Sequence, residues 1–459
     1  MHRSGVFASI LLAVALLAGG GAAAQPVPDA TARVEPLAPT AAPQLPAAGT
    51  IPSSVWITVT GEPADGVFLE SLIRAALDRR IRPTLRPGAS IRYGSIVPWP
   101  LLPLQPGDRA AANVAVTIAG DRDSSWVSGT VTVNMVNQAV PLQTPSTLFY
   151  SDDPEYATTE GLLFRGAIEA GRTTRLYYYH SNVGLPRDLD VVLTAKTPTR
   201  VQAIAAAAGP DLDVMSVGHS VSRDLVLYRQ RNQGVLLDVV PGSPLVLRHD
   251  LMFQSELVAG AVDLHVLGGG PLTVSVVASP AGGRPQPYLN GPRLAYDGHN
   301  RHGAFDLDGF GDLKATYTVG GPDVSITYGS SGRSPRNLDP SDAGRNYGGY
   351  GVTYRMTFTL TNPTQAPAVV YLFERPRGGA VRSTFLVDGQ LKEVGCARLA
   401  QPYWFMTYSV PPGTTGDARL VTMADGGSFY PLEIGVTQTA PVWNTPPVGA
   451  TDGCSPARL

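Results

Sequence analysis

Residues Val352–Phe373 read VTYRMTFTLTNPTQAPAVVYLF, and this stretch decides the fold class. From Val352 to Thr361 apolar side chains alternate with threonine and arginine, which is the period of a strand with one buried and one solvated face. Asn362-Pro363 then interrupts the run, because proline has no N–H for a strand ladder and asparagine favours turns. A second alternating run follows, so we predict an antiparallel pair of strands within a β-sandwich.

The composition of the whole chain points the same way. Its 459 residues include Gly 50 and Pro 41, and only 16% of them are charged. Many short strands joined by Gly and Pro turns give this balance, whereas helical bundles do not. The sequence therefore predicts an all-β fold of tandem β-sandwich domains. The net charge is −2 and the longest basic run is Arg79-Arg80, which argues against nucleic acid and against a polybasic membrane patch.

The N-terminal residues have the three parts of a secretory signal. Arg3 is the positive region, Val6–Ala18 is the apolar region, and Ala22-Ala23-Ala24 is the small-residue cleavage site. A membrane anchor is the alternative, but this apolar run is short for a bilayer, which takes about 18 or more residues. We expect an extracytoplasmic protein (periplasmic, at the cell surface or secreted) with no transmembrane segment once the signal is removed.

Composition shifts and turn signals divide the rest of the chain. The division is a signal peptide at 1–24, a Pro/Ala-rich linker at 25–50, a small β-domain with one helix at 51–145, β-sandwich domains at 146–280 and 281–440, and a Pro-rich tail at 441–459. The helix is predicted at Asp65–Arg80 from apolar residues at helical spacing. A second, short helix is expected at Gln202–Ala208. Asp388-Gly389 gives the strongest short hairpin signal in the chain.

Three blocks of the C-terminal half carry a family resemblance. They are NYGGYGVTYRMTFTLTNPT (Asn346–Thr364), RPRGGAVRSTFLVDGQLKEV (Arg375–Val394) and VPPGTTGDARLVTMADGGSFYPLEI (Val410–Ile434). They resemble blocks in uncharacterised exported bacterial β-proteins, prominently cyanobacterial ones, and the resemblance covers about Ser146–Thr437. It implies an envelope or extracellular β-protein, and it supplies no catalytic residues that could be transferred to this chain.

One acidic segment resembles a calcium loop. Asp306, Asp308 and Asp312, with glycines between them, repeat the spaced carboxylates with which such loops wrap the ion. The match is partial, because the glutamate that ends an EF-hand loop is absent and Phe310 stands where a polar residue is usual. Calcium is the only cofactor predicted, and the alternative is a Gly/Asp turn with solvated carboxylates.

Other chemistry finds weaker support. Asp297, His299 and His302 begin a zinc set, but zinc needs a third or fourth ligand and loop histidines usually make structural hydrogen bonds. No G-x-S-x-G nucleophile elbow is present. A glycosidase needs two carboxylates across a cleft, and the sequence offers two candidate pairs. These pairs are Glu160 with Glu169 and Asp188 with Asp190. The residues favour a binding role over an enzymatic one.

Adjacent aromatic residues suggest a binding surface. Within Tyr177-Tyr178-Tyr179 and Tyr403-Trp404 the rings alternate between the two faces of a strand, so some of them should face outward. Exposed rings on a sandwich can stack on sugars or contact partners. The alternative places one face in the core and the other beneath a loop. The predicted binding residues are Tyr177, Tyr179, Tyr403 and Trp404.

The only two cysteines are Cys396 and Cys454. In an exported protein an isolated pair predicts a disulfide, here one that ties the Pro-rich tail to the last domain. Two unpaired thiols are the alternative.

Together these observations predict an exported, non-enzymatic β-sandwich protein that binds or scaffolds at the cell envelope, with an envelope polysaccharide or protein as its partner. The alternative is a carbohydrate-active protein, either a sugar-binding module or a glycoside hydrolase. Exposed aromatic rings beside a groove would favour sugar binding, and a carboxylate pair in a cleft would favour an enzyme.

Overall fold

The computed structural model describes residues 45–330, 332–449 and 454. The predicted signal peptide and residues 25–44 of the predicted linker lie outside the described residues. The described chain forms strands in four sheets and two α-helices, so the prediction of an all-β fold built from sandwiches is confirmed. Within the described residues, no helix combines the length and the apolar character needed to cross a membrane.

The elements follow one another along the chain in three groups. The first group is β1 (Ser54–Thr60), α1 (Gly66–Ile81), β2 (Ser90–Val97), β3 (Arg109–Ala119) and β4 (Val127–Asn137). The second is β5 (Thr147–Ser151), β6 (Tyr156–Ala157), β7 (Gly161–Ile168), β8 (Thr173–Asn182), β9 (Arg187–Ala195), β10 (Thr199–Asp211), α2 (Val214–Gln230), β11 (Gly234–Val239), β12 (Leu245–Met252), β13 (Leu257–Gly268), β14 (Leu272–Pro280) and β15 (His302–Asp306). The third is β16 (Asp312–Thr318), β17 (Val324–Tyr328), β18 (Thr353–Thr361), β19 (Ala368–Pro376), β20 (Val381–Val387), β21 (Gln390–Ala397), β22 (Tyr403–Val410), β23 (Thr415–Met423), β24 (Leu432–Thr437) and β25 (Trp443–Asn444).

One large sheet runs through the molecule. Its order is β15-β5-β8-β13-β10-β11-β1-β4-β3-β2, and β6 pairs with β8 beside this path. The sheet therefore takes strands from all three of the folded regions that the sequence suggested. The junction lies between β11 and β1, which pair antiparallel, while β1 and β4 are parallel. A division of the chain at residues 145 and 280 stays a prediction.

Three smaller sheets complete the sandwiches. The four-stranded sheet β12-β9-β14-β7 packs on the large sheet, with Tyr178 and Val262 meeting Leu193 and Val274 in one core. The five-stranded sheets β16-β18-β23-β20-β21 and β17-β24-β19-β22-β25 share a second core and form the C-terminal sandwich. Helix α2 lies between this sandwich and the other face of the large sheet, so the large sheet is covered on both faces around β8, β13 and β10.

The two helices differ in how well the sequence predicted them. Helix α1 is confirmed: the Asp65 side chain caps it by accepting from the Phe68 N–H at 2.9 Å, and its apolar side covers β1 to β4. Helix α2 was not predicted. The short helix expected at Gln202–Ala208 is wrong, because this segment belongs to β10, which pairs with β11 and β13. Pairing on both sides outweighs the helix propensity of its alanines.

In the stretch that decided the fold class, the predicted alternation is confirmed and the predicted strand pairing is not. In β18 buried and half-buried residues alternate along the whole strand. However, β18 pairs with β16 and β23, whereas β19 pairs with β22 and β24, so the predicted pairing of the two strands is wrong. The link between them crosses from one sheet to the other. Buried Asn362 supports this crossover by donating to the Ala366 and Val410 carbonyls at 2.8 and 2.9 Å.

The hairpin and the disulfide are both confirmed. Asp388 and Gly389 join β20 to β21 with φ of 48° and 80°, as a two-residue hairpin turn requires. Cys396 and Cys454 form the disulfide, with Cα atoms 5.1 Å apart. The tail also pairs with β22 through β25, so it lies against the C-terminal sandwich.

Replacing Cys454 with serine should destabilise the C-terminal sandwich. The disulfide closes a loop of 58 residues. In the loop-closure model this lowers the entropy of the unfolded chain and so raises the free energy of unfolding by about 4 kcal/mol. Denaturant unfolding of oxidised wild type, Cys454→Ser and the double variant with Cys396→Ser measures the loss. The single and double variants should lose the same amount, and equal stability of all three proteins would contradict the prediction.

Candidate functional site

Three tryptophans of the N-terminal region are unusually exposed. Trp56, Trp99 and Trp126 are 70%, 61% and 62% exposed. Tryptophan is highly buried on average in folded proteins, so exposure of several large apolar rings is informative. Two of them, Trp56 and Trp126, mark a single face of the large sheet.

Strand alternation explains why Trp56 points outward. Val55, Ile57 and Val59 face the core that α1 covers. Because successive side chains of a strand point to opposite faces, Trp56 must point to the other face of the sheet. The same alternation applies to β4, β3 and β2. We call the outward face of β1, β4, β3 and β2, together with Trp126, the tryptophan face. This face is on the same side of the large sheet as α2. Thr58 of the tryptophan face pairs with Leu236, and Leu236 pairs with Gln202 of β10, so the three side chains share one face. On β10 that face continues with Ile204 and Ala206, which pack against α2.

The centre of the tryptophan face carries small, uncharged side chains. Outward residues of β4 and β3 are mostly serine, threonine, asparagine and alanine: Ser128, Thr130, Thr132, Asn134, Ala111, Asn113, Ala115 and Thr117. Two cross-strand hydrogen bonds order the polar ones. The Thr132 hydroxyl donates to Asn113 Oδ1 at 2.9 Å, and the hydroxyls of Thr117 and Ser128 lie 3.1 Å apart. Hydroxyls and amides both donate and accept, so this surface can bind a ligand rich in hydroxyl groups.

We call the row of outward polar residues along β4, from Ser128 to Asn134, the polar track. The Trp56 and Trp126 rings lie at its opposite ends. Trp56 lies beside Asn134 in the β1–β4 register, and Trp126 immediately precedes β4. At about 3.4 Å per residue, Trp126 and Asn134 are about 27 Å apart along the strand. The Arg92 guanidinium lies over the Trp126 ring, 5.9 Å from its centroid, and orients it. A ligand that contacts both rings must therefore be an extended chain.

The aromatic residues predicted as a binding surface lie elsewhere. Tyr177, Tyr179 and Tyr403 are buried, and Tyr177 packs between Tyr150 and Tyr350 with ring centroids 5.8 and 6.3 Å away. Every residue of β8 is buried, so the expectation that one side of this strand faces outward is wrong. The reason is that the large sheet is covered on both faces at β8. Trp404 is half-buried and its ring meets Tyr371 edge-on at 5.9 Å.

The predicted calcium residues have other partners. Asp306 ends β15 and pairs with Arg336 at 2.7 Å, while Asp312 begins β16 and pairs with Arg355 at 2.6 Å. Asp308 is exposed. Among residues 45–330, 332–449 and 454, no three His, Cys, Asp or Glu side chains are grouped to hold a metal. Calcium binding at this loop stays a prediction.

The histidines and carboxylates considered for zinc or catalysis make structural contacts. His302 is buried between Asp153 at 2.9 Å and Asp342 at 2.8 Å, and exposed His299 bonds Asp297. The candidate carboxylate pairs lie on or beside strands β9 and β7 of the four-stranded sheet. Asp188 and Asp190 are buried on either side of His249, at 3.6 and 2.8 Å, and Glu160 and Glu169 lie at opposite ends of β7.

Comparison with known proteins adds little. No family model matches the chain, and no curated protein matches it. The chain is similar to solved structures of Lac15 from a marine microbial metagenome (11% identity, 74% of this chain and 76% of that one, TM-score 0.14) and of the PBSX exported protein XepA (10%, 61% and 86%, 0.14). It is also similar to the CBM22-1-CBM22-2 tandem domain of Paenibacillus barcinonensis Xyn10C (7%, 80% and 88%, TM-score 0.12). At these TM-scores the similarities carry no argument.

A buried polar cluster that the sequence did not reveal joins α2 to the C-terminal sandwich. His219 of α2 contacts Asp425 through Nδ1 at 2.6 Å and Glu393 through Nε2 at 3.0 Å. Arg223 and Asp224, which are on the same helix as His219, lie next to Glu393 of β21. Burial opposes the charge on His219, but Asp425 and Glu393 outweigh it and raise its pKa to about 9. Helix and sandwich are thus held together by an imidazolium between two carboxylates.

Glu374 lies in the same region of the sandwich and is fully buried. Burial raises its pKa to about 8, and the nearby charge of Asp425 adds to this effect. The carboxyl is therefore neutral at neutral pH, since a charged carboxylate away from water is strongly disfavoured.

Raising the pH from 6.5 to 9 should lower the free energy of unfolding. His219 keeps its proton up to about pH 9 when folded but only to about 6.5 when unfolded, so its stabilisation is complete below pH 6.5 and is lost as the pH rises through 9. Glu374 acts in the same direction up to about pH 8, because only the folded state holds its proton there. The titration of one group can change the free energy of unfolding by at most about 1.4 kcal/mol per pH unit within its window.

Urea unfolding across this pH range measures the slope. In His219→Gln the decline above pH 8 should flatten, since glutamine cannot titrate. A slope in His219→Gln equal to that of the wild type would show that another group is responsible.

Proposed function

We propose that this protein is a non-catalytic, extracytoplasmic polysaccharide-binding protein, with a scaffolding role at the cell envelope. In this proposal the tryptophan face binds a neutral, extended glycan chain. The observation that carries the proposal is the exposure of Trp56 and Trp126 on one face whose centre consists of uncharged hydroxyls and amides.

The chemistry of the face matches that of a sugar chain. Planar aromatic rings offer large, rigid apolar contact area, and a sugar ring presents an apolar face of C–H groups to such a ring. Between Trp56 and Trp126 the hydroxyls of serine and threonine and the amide of Asn134 can exchange hydrogen bonds with sugar hydroxyls. Stacking at the two ends and hydrogen bonds along the track would act on the same chain.

The charges of the face favour a neutral ligand. Its outward charged residues are Arg92, which contacts Trp126, and Arg109 at the far end of β3. Two arginines at separate ends make a weak electrostatic footprint for a polyanion.

The same composition argues against a protein partner. The cores of protein–protein interfaces are depleted in serine and alanine, which are abundant at the centre of this face, for example Ser128 and Ala115. Small side chains also give an anchoring side chain of a protein partner little to pack against.

The disulfide supports the location. Disulfides form and persist in oxidising compartments outside the cytoplasm, and Cys396–Cys454 is formed here. This agrees with the secretory signal predicted from the first residues.

Replacing Trp56 or Trp126 with alanine should weaken binding to neutral polysaccharides by about tenfold or more each, which corresponds to about 1.4 kcal/mol. The double variant should not bind measurably. Co-sedimentation with insoluble neutral polysaccharides and affinity electrophoresis with soluble ones identify the ligand, and titration calorimetry with its oligosaccharides gives the affinity. Trp443→Ala is the matched control, because Trp443 is 46% exposed but lies on β25.

A second variant tests the face without removing a ring. Ala115 is exposed beside the centre of the track, so Ala115→Arg should block the chain while leaving the fold intact. Binding that survives in Ala115→Arg and in the double tryptophan variant would place the glycan site elsewhere. No binding to any neutral polysaccharide by the wild type would refute the proposal, and loss of a protein partner in the same variants would reassign the face.

A further inference from the structure

A small cavity lies where α2, the large sheet and the C-terminal sandwich meet. Its volume is about 20 Å³, and its walls include Arg175, Arg229, Arg355, Thr144 and Thr353. The cavity is partly open to solvent and has room for a small occupant such as a water molecule or a monatomic ion. Its lining contains three guanidinium groups and no carboxylate.

Arg175 gives the cavity a rigid wall. It is 1% exposed, and its Nε and Nη2 groups donate to the two oxygens of Asp263 at 2.6 and 3.0 Å. Its Nη1 group donates to the Gly351 carbonyl at 2.9 Å and to the Thr353 hydroxyl at 2.7 Å. These bonds join β8 and β13 to the start of β18 and hold the guanidinium in place.

The charges around the cavity do not balance. Arg229 of α2, whose side chain is 13% exposed, also pairs with Asp263, so one buried carboxylate serves two arginines. Arg355 pairs with Asp312 at 2.6 Å, which leaves three positive charges against two negative ones. Burial lowers the pKa of Arg229, Asp263 raises it, and the charges of Arg175 and Arg355 lower it again. The excess is positive, and at Arg175, Arg229 and Asp263 it lies largely away from water, where charge interactions are stronger than at the surface.

We propose that this cavity binds one monovalent halide anion, chloride under ordinary conditions. A halide supplies the missing negative charge and accepts N–H and O–H donors from several directions. A monatomic anion fits so small a volume better than sulfate, phosphate or a carboxylate does. Bound there, the anion would lie against Arg229 of α2, Arg175 of the large sheet and Arg355 of the C-terminal sandwich, and would stabilise their packing. This site is separate from the tryptophan face and does not depend on the proposed function.

Thermal unfolding in sodium chloride and in sodium gluconate at equal ionic strength tests the proposal. Gluconate is a much larger anion than chloride, so chloride should occupy the site better and raise the Tm of the wild type by about 2 °C relative to gluconate. Arg355→Gln removes one charge at a half-exposed position and should abolish the difference. Arg419→Gln is the matched control, because Arg419 is an exposed arginine of the same sandwich, paired with Asp417, and does not line the cavity.

Two direct measurements accompany the melts. Chloride-35 NMR should show excess line broadening with the wild type that falls in Arg355→Gln, and crystals grown in bromide should show an anomalous peak in the cavity. A chloride effect that persists in Arg355→Gln would mark a general salt effect and overturn the assignment. Equal Tm values in the two salts, no broadening and no bromide peak would show that the cavity holds only water; the wild-type experiments decide this even if Arg355→Gln does not fold. Glycan binding by Arg355→Gln should be unchanged, which separates this test from that of the tryptophan face.

Discussion

The carboxylate of Asp263, held between Arg175 and Arg229, is the interaction on which the rest of the structure depends. It lies on β13 at the middle of the large sheet, and its two arginines come from β8 and α2. Through the Gly351 carbonyl, Arg175 extends the contact to the C-terminal sandwich. A buried ion pair is weak evidence for net stability, yet removing one partner costs about 3–5 kcal/mol because it leaves a charge without compensation. One carboxylate thus links the large sheet, α2 and the C-terminal sandwich.

The middle of the large sheet is covered on both faces for two different reasons. Arg175 and Asp263 lie on the face of β8 and β13 that α2 and the C-terminal sandwich cover. The alternate residues on the opposite face are apolar and pack on the four-stranded sheet. The tyrosines of β8 therefore pack in two cores, Tyr178 in one and Tyr177 and Tyr179 in the other. Where the sheet extends past β11, the described residues leave one face open, and α1 covers the opposite side.

The sequence predicted what depends on local pattern and missed what depends on long-range pairing. The alternation of β18, the Asp388-Gly389 turn and helix α1 are local, and the structure has all three. The alanines of β10 read as helix because their environment, a strand on each side, comes from distant parts of the chain. Helix α2 was missed although Val217, Val221 and Leu225 recur at helical spacing, since its β-branched residues and glycine are weak helix formers. Trp56 was detectable: it is out of phase with the core positions Ile57 and Val59.

The tryptophan face lies at the edge of the large sheet. Its exposed rings therefore favour unwanted association unless a ligand covers them. Edge strands with apolar faces invite association, and natural proteins protect them with proline, charge or cover. Here β2 is the edge strand, and Pro98 and Pro100 follow it directly, which limits further strand pairing. The centre of the face is polar and small, so it does not require a protein partner to be soluble. What this protection leaves unexplained is the rings themselves: Trp56 and Trp126 contribute nothing to the core formed by α1 and β1 to β4. Under the proposed function, their place at the two ends of a hydroxyl-lined track would serve a ligand that needs both stacking and hydrogen bonds, and a glycan chain has that combination.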